Sequence, residues 1–228
     1  MNAWFEQLYS TFIEKERYTM LIDGFKNTAI ITLGALLIGV IIGTIIAVAK
    51  YFSEDVKALK PVAILCDTYT TVIRGIPVVV LLLIFYFVIL TSSEGVLVAI
   101  LTFGINSGAY MAELIRSGIS AVDKGQMEAG RSLGMSKMQT MRKIILPQAV
   151  RYVLPAVGNE FIALLKETSV AGYVAVVDLT RAGNLVRNNT HDMFNPLMLV
   201  ALVYLIMVVL LTKALGILER RLAKSDKR

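Results

Sequence analysis

Long apolar runs constrain this chain more than any other feature of its sequence. Four runs reach the length of about 20 residues that a helix needs to cross about 30 Å of hydrocarbon, namely 28–49, 96–115, 147–168 and 196–218. The chain is 56% hydrophobic and only 18% charged, whereas a soluble domain carries about 25% charged residues. We therefore predict an all-α membrane protein, because helices satisfy their own backbone hydrogen bonds in lipid.

A fifth span is predicted for the segment 61–90, where the apolar pattern is interrupted. Its continuous apolar stretch, 78–90, is too short to cross the bilayer alone, and Arg74-Gly75-Ile76-Pro77 precedes it. Proline breaks helices and disfavours helical conformation at the residue before it. We expect one span that is broken at 75–77 and then completes the crossing, which gives five transmembrane helices.

Basic residues near the span ends indicate orientation, because cytoplasmic loops carry an excess of Lys and Arg. The larger set lies after the first run, after the third run and in the tail: Lys50, Lys57, Lys60, Arg116, Lys124, Arg131, Lys137, Arg142, Lys143, Arg220, Arg221, Lys224, Lys227 and Arg228. The opposite side holds Lys15, Arg17, Lys26, Arg181 and Arg187. We predict an N-terminus outside and a cytoplasmic C-terminus. Residues 1–26 are then an amphipathic segment on the outer surface, with a short helix over 15–26.

The segment 121–145 is a polar interruption on the predicted cytoplasmic side. We expect helix from about Lys124 to Lys143, with Gly134 turning one short helix into another because glycine tolerates unusual backbone angles. Ser136 can cap the second helix. Four side chains offer adaptable apolar contacts to a partner: Leu133, Met135, Met138 and Met141. The alternative interpretation is an amphipathic linker that rests on lipid headgroups.

The fourth run contains an acidic residue at depth. If Pro147 marks the cytoplasmic edge, Glu160 lies about 20 Å into the bilayer, where a carboxylate facing lipid costs about 2.5 kcal/mol or more. In one interpretation Glu160 and Asn159 line a substrate path and bind a cationic group; in the other, Glu160 pairs with another span and fixes packing. Further candidates for the path are Asn106, Ser107 and Tyr110, which hydrogen bonds between helices explain equally well. Thr70 precedes the break at Pro77 and is a candidate for the same cavity.

Smaller polar features have simpler interpretations. Glu113 and Arg116 are spaced to form an ion pair on one helix. The Gly39-x-x-x-Gly43 pattern predicts a close-packing helix face without indicating its partner. In the outer loop, Asp178, Thr180 and Arg181 either contact a partner outside the membrane or are solvated.

Several function classes are disfavoured by the sequence. It contains no phosphate-binding loop pattern, and one histidine and one cysteine cannot supply a site built on several such ligands. Basic residues do not interleave with aromatics, which argues against nucleic-acid binding. Gly130-Arg-Ser-Leu-Gly134 fits a nucleophile elbow formally, but that motif needs a preceding strand and a histidine base. We therefore predict no catalytic residue, metal or cofactor in this chain.

The stretch Glu128-Ala-Gly-Arg-Ser-Leu-Gly134, followed after nine residues by Ile144-Ile-Leu-Pro147, resembles the EAA loop of the permeases of binding-protein-dependent ABC importers. Gly130 departs from the family pattern, which usually has Ala. The resemblance implies that a separate ATPase contacts this loop through Glu128, Ala129, Gly130, Arg131, Leu133, Gly134, Met135, Ile144 and Pro147.

Three other stretches resemble the polar amino acid branch of that family: 158–169, Arg74-Gly75-Ile76-Pro77 (with Ile for Thr), and 108–116 (with Gly108 and Leu114 departing). The resemblance spans about 25–218. It implies the type I ABC importer fold in a bacterial cytoplasmic membrane, with one permease domain over 1–228 and a coupling loop at 121–145. The implied partners are a second permease copy or paralogue, an ATPase that binds ATP and Mg, an outer solute-binding protein and a polar amino acid.

An ion-coupled secondary amino acid transporter is the alternative function, with Glu160 as a proton or sodium site and no ATPase. Secondary transporters often show paired repeats with matching broken helices. Five predicted spans with a single break argue against that architecture. A membrane enzyme or scaffold subunit is a third reading, but the sequence holds no convincing catalytic cluster.

Overall fold

The computed structural model describes residues 3–53 and 57–225, and no strand occurs in these two ranges. The helices are α1 Ala3–Leu8, α2 Tyr18–Ser53, α3 Lys60–Gly75, α4 Val78–Ile84, α5 Gly95–Ser120, α6 Gly125–Ser132, α7 Lys137–Thr140, α8 Leu146–Glu167, α9 Leu179–Thr190 and α10 Asn195–Ser225. Wider or tighter helical turns extend α1 to Ile13, α4 to Ile89, α7 to Ile145 and α8 to Val174. The predicted all-α class is confirmed. Lys227 and Arg228, placed in the cytoplasm from sequence, lie outside the described residues, as do the side chains of Lys57 and Lys224.

Three of these helices, α2, α5 and α10, are long and apolar enough to cross a membrane. The pair α3 and α4 provides a fourth candidate if it is one span broken at 76–77, which is where the sequence predicts the break. Helix α8 has almost the predicted bounds, but it does not belong to that set. The count of five spans therefore stays a prediction.

The N-terminal region differs from the expected short helix over 15–26. Helix α2 begins at Tyr18 and continues without a break to Ser53, so Lys15 precedes it and Lys26 lies inside it. Gly24 lies inside this helix and permits a close contact, since a Cβ there would lie 2.8 Å from the carbonyl oxygen of Asp178. The separate N-terminal element is instead α1 with its extension to Ile13.

The chain divides into two compact units. The first comprises the residues up to Leu37, 76–104 and 162–211. One of its apolar cores is formed by Ile31, Ala35, Leu82, Ala99, Phe103, Leu164, Ala171, Val174 and Val176, and the other by Phe12, Leu21, Leu179, Ala182, Val186 and Val200. This unit contains the loop before α9 that the sequence places on the outer side.

A buried carboxylate joins the N-terminal element to the rest of the first unit. Asp192 accepts hydrogen bonds from Thr11 Oγ1 (2.9 Å) and from Asn195 Nδ2 (2.7 Å). Burial alone raises the pKa of Asp192, but the hydrogen bonds from Asn195, Thr11 and Phe194 stabilise the anion and bring the pKa below its ordinary value. This contact holds the N-terminal helix against the segment between α9 and α10.

The second unit comprises 38–75, 105–161 and the residues from Thr212 onward. Here the paired glycines of α2 pack against α5: a Cβ at Gly39 would lie 2.9 Å from Ser107 Cβ, and one at Gly43 would overlap Met111. The close-packing face predicted from Gly39 and Gly43 thus has α5 as its partner. The same unit carries the polar segment 121–145 and the candidate substrate-path residues.

Candidate functional site

Helix α6 ends in a Schellman motif built around Gly134. The N–H of Met135 donates to the carbonyl of Gly130 (3.1 Å), and the N–H of Gly134 donates to the carbonyl of Arg131 (3.0 Å). Gly134 has φ +79°, a left-handed conformation that only glycine adopts without appreciable cost. The turn predicted at Gly134 is therefore confirmed, and its backbone explains the need for glycine.

Helix α7 begins with a capping box. Ser136 Oγ accepts from the N–H of Gln139 (3.2 Å), while the N–H of Ser136 donates to Gln139 Oε1 (2.8 Å). This reciprocal pair provides acceptors for two backbone N–H groups that the start of a helix otherwise leaves without a partner. The cap predicted at Ser136 is confirmed, and α7 then continues through Met141–Ile145 into α8.

Gly130 is explained by its contact with Thr140. Both residues are buried, and a Cβ at position 130 would lie 2.5 Å from Thr140 Cγ2 and 2.7 Å from its Oγ1. Real Cβ atoms essentially never come so close to other atoms. The residue that departs from the family pattern is thus the one that lets α6 and α7 approach each other.

We expect Gly130→Ala to destabilise the loop, because the added methyl group displaces buried Thr140, and overpacking costs about 1–3 kcal/mol. Protease sensitivity of the loop in purified protein measures the effect. Adding Thr140→Ala removes both close atoms and should restore most of the resistance to cleavage. Equal sensitivity of wild type and Gly130→Ala would contradict the packing argument.

The loop exposes apolar side chains to its surroundings. Leu133 is 81% exposed and Met138 is 47% exposed. Met141 differs from its predicted role, because it is buried in a cluster with Val122, Ile145 and Ala149. Of the other residues that the family resemblance assigns to ATPase contact, Glu128, Ala129, Arg131, Gly134 and Pro147 are exposed, Met135 and Ile144 are half-buried, and Gly130 is buried.

The loop also contacts α2 within the second unit. Lys137 Nζ lies 5.0 Å from the centre of the Tyr51 ring, a cation–π distance, and Tyr51 packs against the buried cluster that contains Met141. The neighbouring Lys50 forms ion pairs with Asp67 of α3 and with Glu113 of α5 (3.7 Å). The loop thus contacts α2 at Tyr51, next to the ion pairs that join α2 to α3 and α5.

The ion pair predicted between Glu113 and Arg116 is confirmed at 2.9 Å. Sequence reasoning missed its extension to Lys50 and Asp67, since spacing along one helix reveals only partners on that helix. The hydroxyl of Tyr69, which also went unnoticed, donates to the carbonyl of Ile105 (2.6 Å). It joins α3 to α5 next to the candidate substrate path.

The structure brings Glu160 and Ser107 together. Ser107 is fully buried, and its Oγ donates to Glu160 Oε1 at 3.1 Å. Glu160 itself is half-buried. A hydrogen bond from another helix fits the packing interpretation, whereas retained exposure fits a path that substrate and water reach.

The other candidate path residues have separate surroundings. Tyr110 receives the guanidinium of Arg74 over its ring at 5.1 Å, and Asn106 is buried. Asn159 is exposed and donates to the carbonyl of Pro155, one turn earlier. Thr70 is buried and bonds to backbone carbonyls of its own helix. Thr70 and Asn159 thus each form a hydrogen bond with the backbone of their own helix.

Asp178 in the predicted outer loop is neither solvated nor free for a partner. It is fully buried at the start of α9 and accepts from the N–H of Thr180 (2.9 Å) and of Arg181 (3.2 Å). Burial raises its pKa, and these hydrogen bonds act in the opposite direction. The sequence signal was available, because an Asp just before a helix is a common N-cap.

Within residues 3–53 and 57–225, no three His, Cys, Asp or Glu side chains are grouped as metal ligands. The second unit thus contains a two-helix loop with exposed Leu133 and Met138 and, separately, the half-buried Glu160.

This chain belongs to the family described as the binding-protein-dependent transport system inner membrane component, whose model matches residues 35–224. Among curated relatives, it is 36% identical over 213 residues to the probable glutamine ABC transporter permease protein GlnM of Bacillus subtilis (strain 168), with 92% of this chain and 96% of GlnM covered. It is 32% identical over 210 residues to the arginine transport system permease protein ArtQ of the same organism, covering 90% and 94%.

Solved structures agree with this assignment. A chain from the crystal structure of an amino acid ABC transporter with histidines superposes with a TM-score of 0.85 at 39% identity, covering 92% of this chain and 98% of that one. A chain of the inward-facing MetNI methionine ABC transporter gives 0.76 at 22% identity, covering 92% and 99%. The second likeness supports the fold alone, which is the type I permease fold expected from the sequence.

Proposed function

We propose that this chain is the permease subunit of an ABC importer that moves a polar amino acid into the cell. The observation that carries this function is the loop formed by α6, Gly134 and α7, in which the side chains of Leu133 and Met138 are exposed. Membership of the binding-protein-dependent family supplies the class of transporter. The names of relatives, which include glutamine and arginine permeases, favour an amino acid as the substrate.

The proposed partners follow from this role. An ATPase subunit, which binds ATP and Mg, contacts the cytoplasmic loop, and a solute-binding protein delivers the amino acid from outside. A second permease, either a copy or a paralogue, completes the path across a bacterial cytoplasmic membrane. An ion-coupled transporter needs no such loop, so the family match and the loop geometry both favour the ATP-driven mechanism.

In the proposed mechanism the loop converts closure of the ATPase dimer into movement of the bundle. The Schellman turn and capping box make the loop stiff, so force applied at Leu133 is not lost in local bending. Contact with Tyr51, and through Lys50 with Asp67 and Glu113, passes the movement to α2, α3 and α5. Such transitions switch between discrete packed arrangements, here inward-open and outward-open ones.

Co-purification tests this function directly. The permease, expressed with its proposed ATPase subunit, should retain that subunit through affinity purification. ATP hydrolysis in proteoliposomes should then rise when a loaded binding protein is added. Amino acid uptake driven by an ion gradient, without any ATPase, would show the ion-coupled alternative to be right.

The orientation is tested by cysteine labelling in a Cys66→Ser background. Lys124 and Asn188 are both exposed, and our topology places them on opposite sides. We expect Lys124→Cys to react only with reagents that enter the cytoplasm and Asn188→Cys to react with an impermeant maleimide from outside. The reverse pattern would overturn the topology, and reaction of both from one side would overturn the span count.

A further inference from the structure

The first unit contains a polar cavity between the turn that follows α8 and the first turns of α9. Its volume is about 500 Å³, and it is lined by Ser169, Gly172, Tyr173, Thr180, Arg181 and Asn184. A volume of this order lies in the range of small-molecule sites, about 300–1,000 Å³. No role in the coupling loop or the candidate substrate path accounts for it.

The lining of this cavity is rich in hydrogen-bond donors. The exposed Arg181 carries five N–H groups in a planar fork, and Ser169 and Asn184 add a hydroxyl and an amide. Within the described part of the chain, none of these three side chains forms a hydrogen bond or an ion pair. No acidic side chain lines the cavity. Such a set favours an anion, and the planar guanidinium matches a carboxylate in particular.

The local backbone explains how the turn and the start of α9 meet beside the cavity. Gly172 allows the turn to approach α9, because a Cβ there would lie 3.2 Å from Arg181 Cβ and 3.3 Å from Asp178 Oδ1. The carboxylate of Asp178 already occupies the N–H groups of Thr180 and Arg181. The helix start is therefore satisfied from within, and any ligand must bind through side chains, chiefly Arg181.

We propose that this cavity binds a carboxylate on the outer side of the membrane. The inference rests on the proposed function, in which a binding protein delivers an amino acid to that side. Two sources offer this chemistry: an acidic side chain of the docked binding protein, or the carboxylate of the amino acid itself. Arg181 is the group on which either one depends most.

The test uses the permease–ATPase complex in proteoliposomes with its binding protein loaded with L-glutamine. Arg181→Gln is compared with Lys26→Gln, which removes the same charge from an exposed residue of the same unit. If an acidic side chain occupies the cavity, Arg181→Gln should raise the half-saturating binding-protein concentration about tenfold at unchanged maximal ATP hydrolysis. If the amino acid occupies it, half-saturation should stay constant while glutamine imported per ATP falls about tenfold.

Arg181→Lys keeps the charge but loses the planar fork, so it should recover only part of either loss. Should Arg181→Gln fail to assemble, Asn184→Ala is measured in the same way and should show the same type of change. Values equal to those of Lys26→Gln in both measurements would overturn the carboxylate site. A wild-type complex whose ATP hydrolysis ignores the binding protein would instead show the proposed function to be wrong.

Discussion

Gly134→Val is expected to abolish coupling while the protein still inserts and folds. Gly134 has φ +79°, and a left-handed backbone costs a residue with a Cβ about 1–2 kcal/mol, with β-branched valine at a particular disadvantage. The loop would relieve this strain by changing the angle between α6 and α7, which moves Leu133. We expect ATP hydrolysis stimulated by the binding protein to fall at least about tenfold in the reconstituted complex.

A steric clash does not explain this effect, because a Cβ at Gly134 would meet no atom of the described residues within 4 Å. Gly216 of α10 is the matched control, since its backbone is helical and a Cβ there would meet, among the described residues, only the end of the Arg220 side chain at 4.0 Å. Gly216→Val should therefore keep normal hydrolysis. Normal stimulation in Gly134→Val, with the ATPase still bound, would rule out the coupling role of this turn.

The local chemistry of the loop was predictable from the sequence, whereas its tertiary contacts were not. Gly134 and Ser136 act on their own neighbours in the chain, so glycine after one helix and serine before the next were sufficient signals. The packing of Thr140 on Gly130 depends on how α6 and α7 meet. Nothing in the spacing of these two residues shows that contact.

Tertiary contacts also explain why other helices differ from the sequence-based expectation. The sequence predicts a separate surface helix over 15–26 because its basic residues are typical of a surface segment. Lys26 instead pairs with Asp23 at 3.0 Å on the continuous helix α2. Two charged residues on one face do not end a helix whose other face is buried against α9 and α10. The hydropathy of α8 likewise does not decide whether this helix spans the membrane, because residues of a span that face a protein interior need not be apolar.

The second large effect is expected at Glu160, where substitution by Gln separates charge from shape. Glu160→Gln keeps the side-chain length and an oxygen that can still accept from Ser107, whose Oγ lies 3.1 Å from Glu160 Oε1. If Glu160 attracts a cationic group of the substrate, losing the charge removes an interaction of about 1.5–3 kcal/mol. Transport should then fall by about tenfold or more, measured as uptake into proteoliposomes with normal complex assembly.

Comparison of L-arginine with L-glutamine makes the experiment specific. Arginine carries a second positive charge, so its uptake should lose more than that of glutamine if the carboxylate acts on the substrate. Ser107→Ala is the partner control, because it removes the donor to Glu160 and leaves the charge in place. If packing is the only role of Glu160, Ser107→Ala should impair assembly while Glu160→Gln leaves the uptake of both amino acids unchanged. If Glu160 contacts the substrate, Glu160→Gln should instead lower uptake, and Ser107→Ala should have the smaller effect. The half-buried carboxylate would then act through its charge, whereas the hydroxyl of Ser107 would act only through the position that it gives the carboxylate.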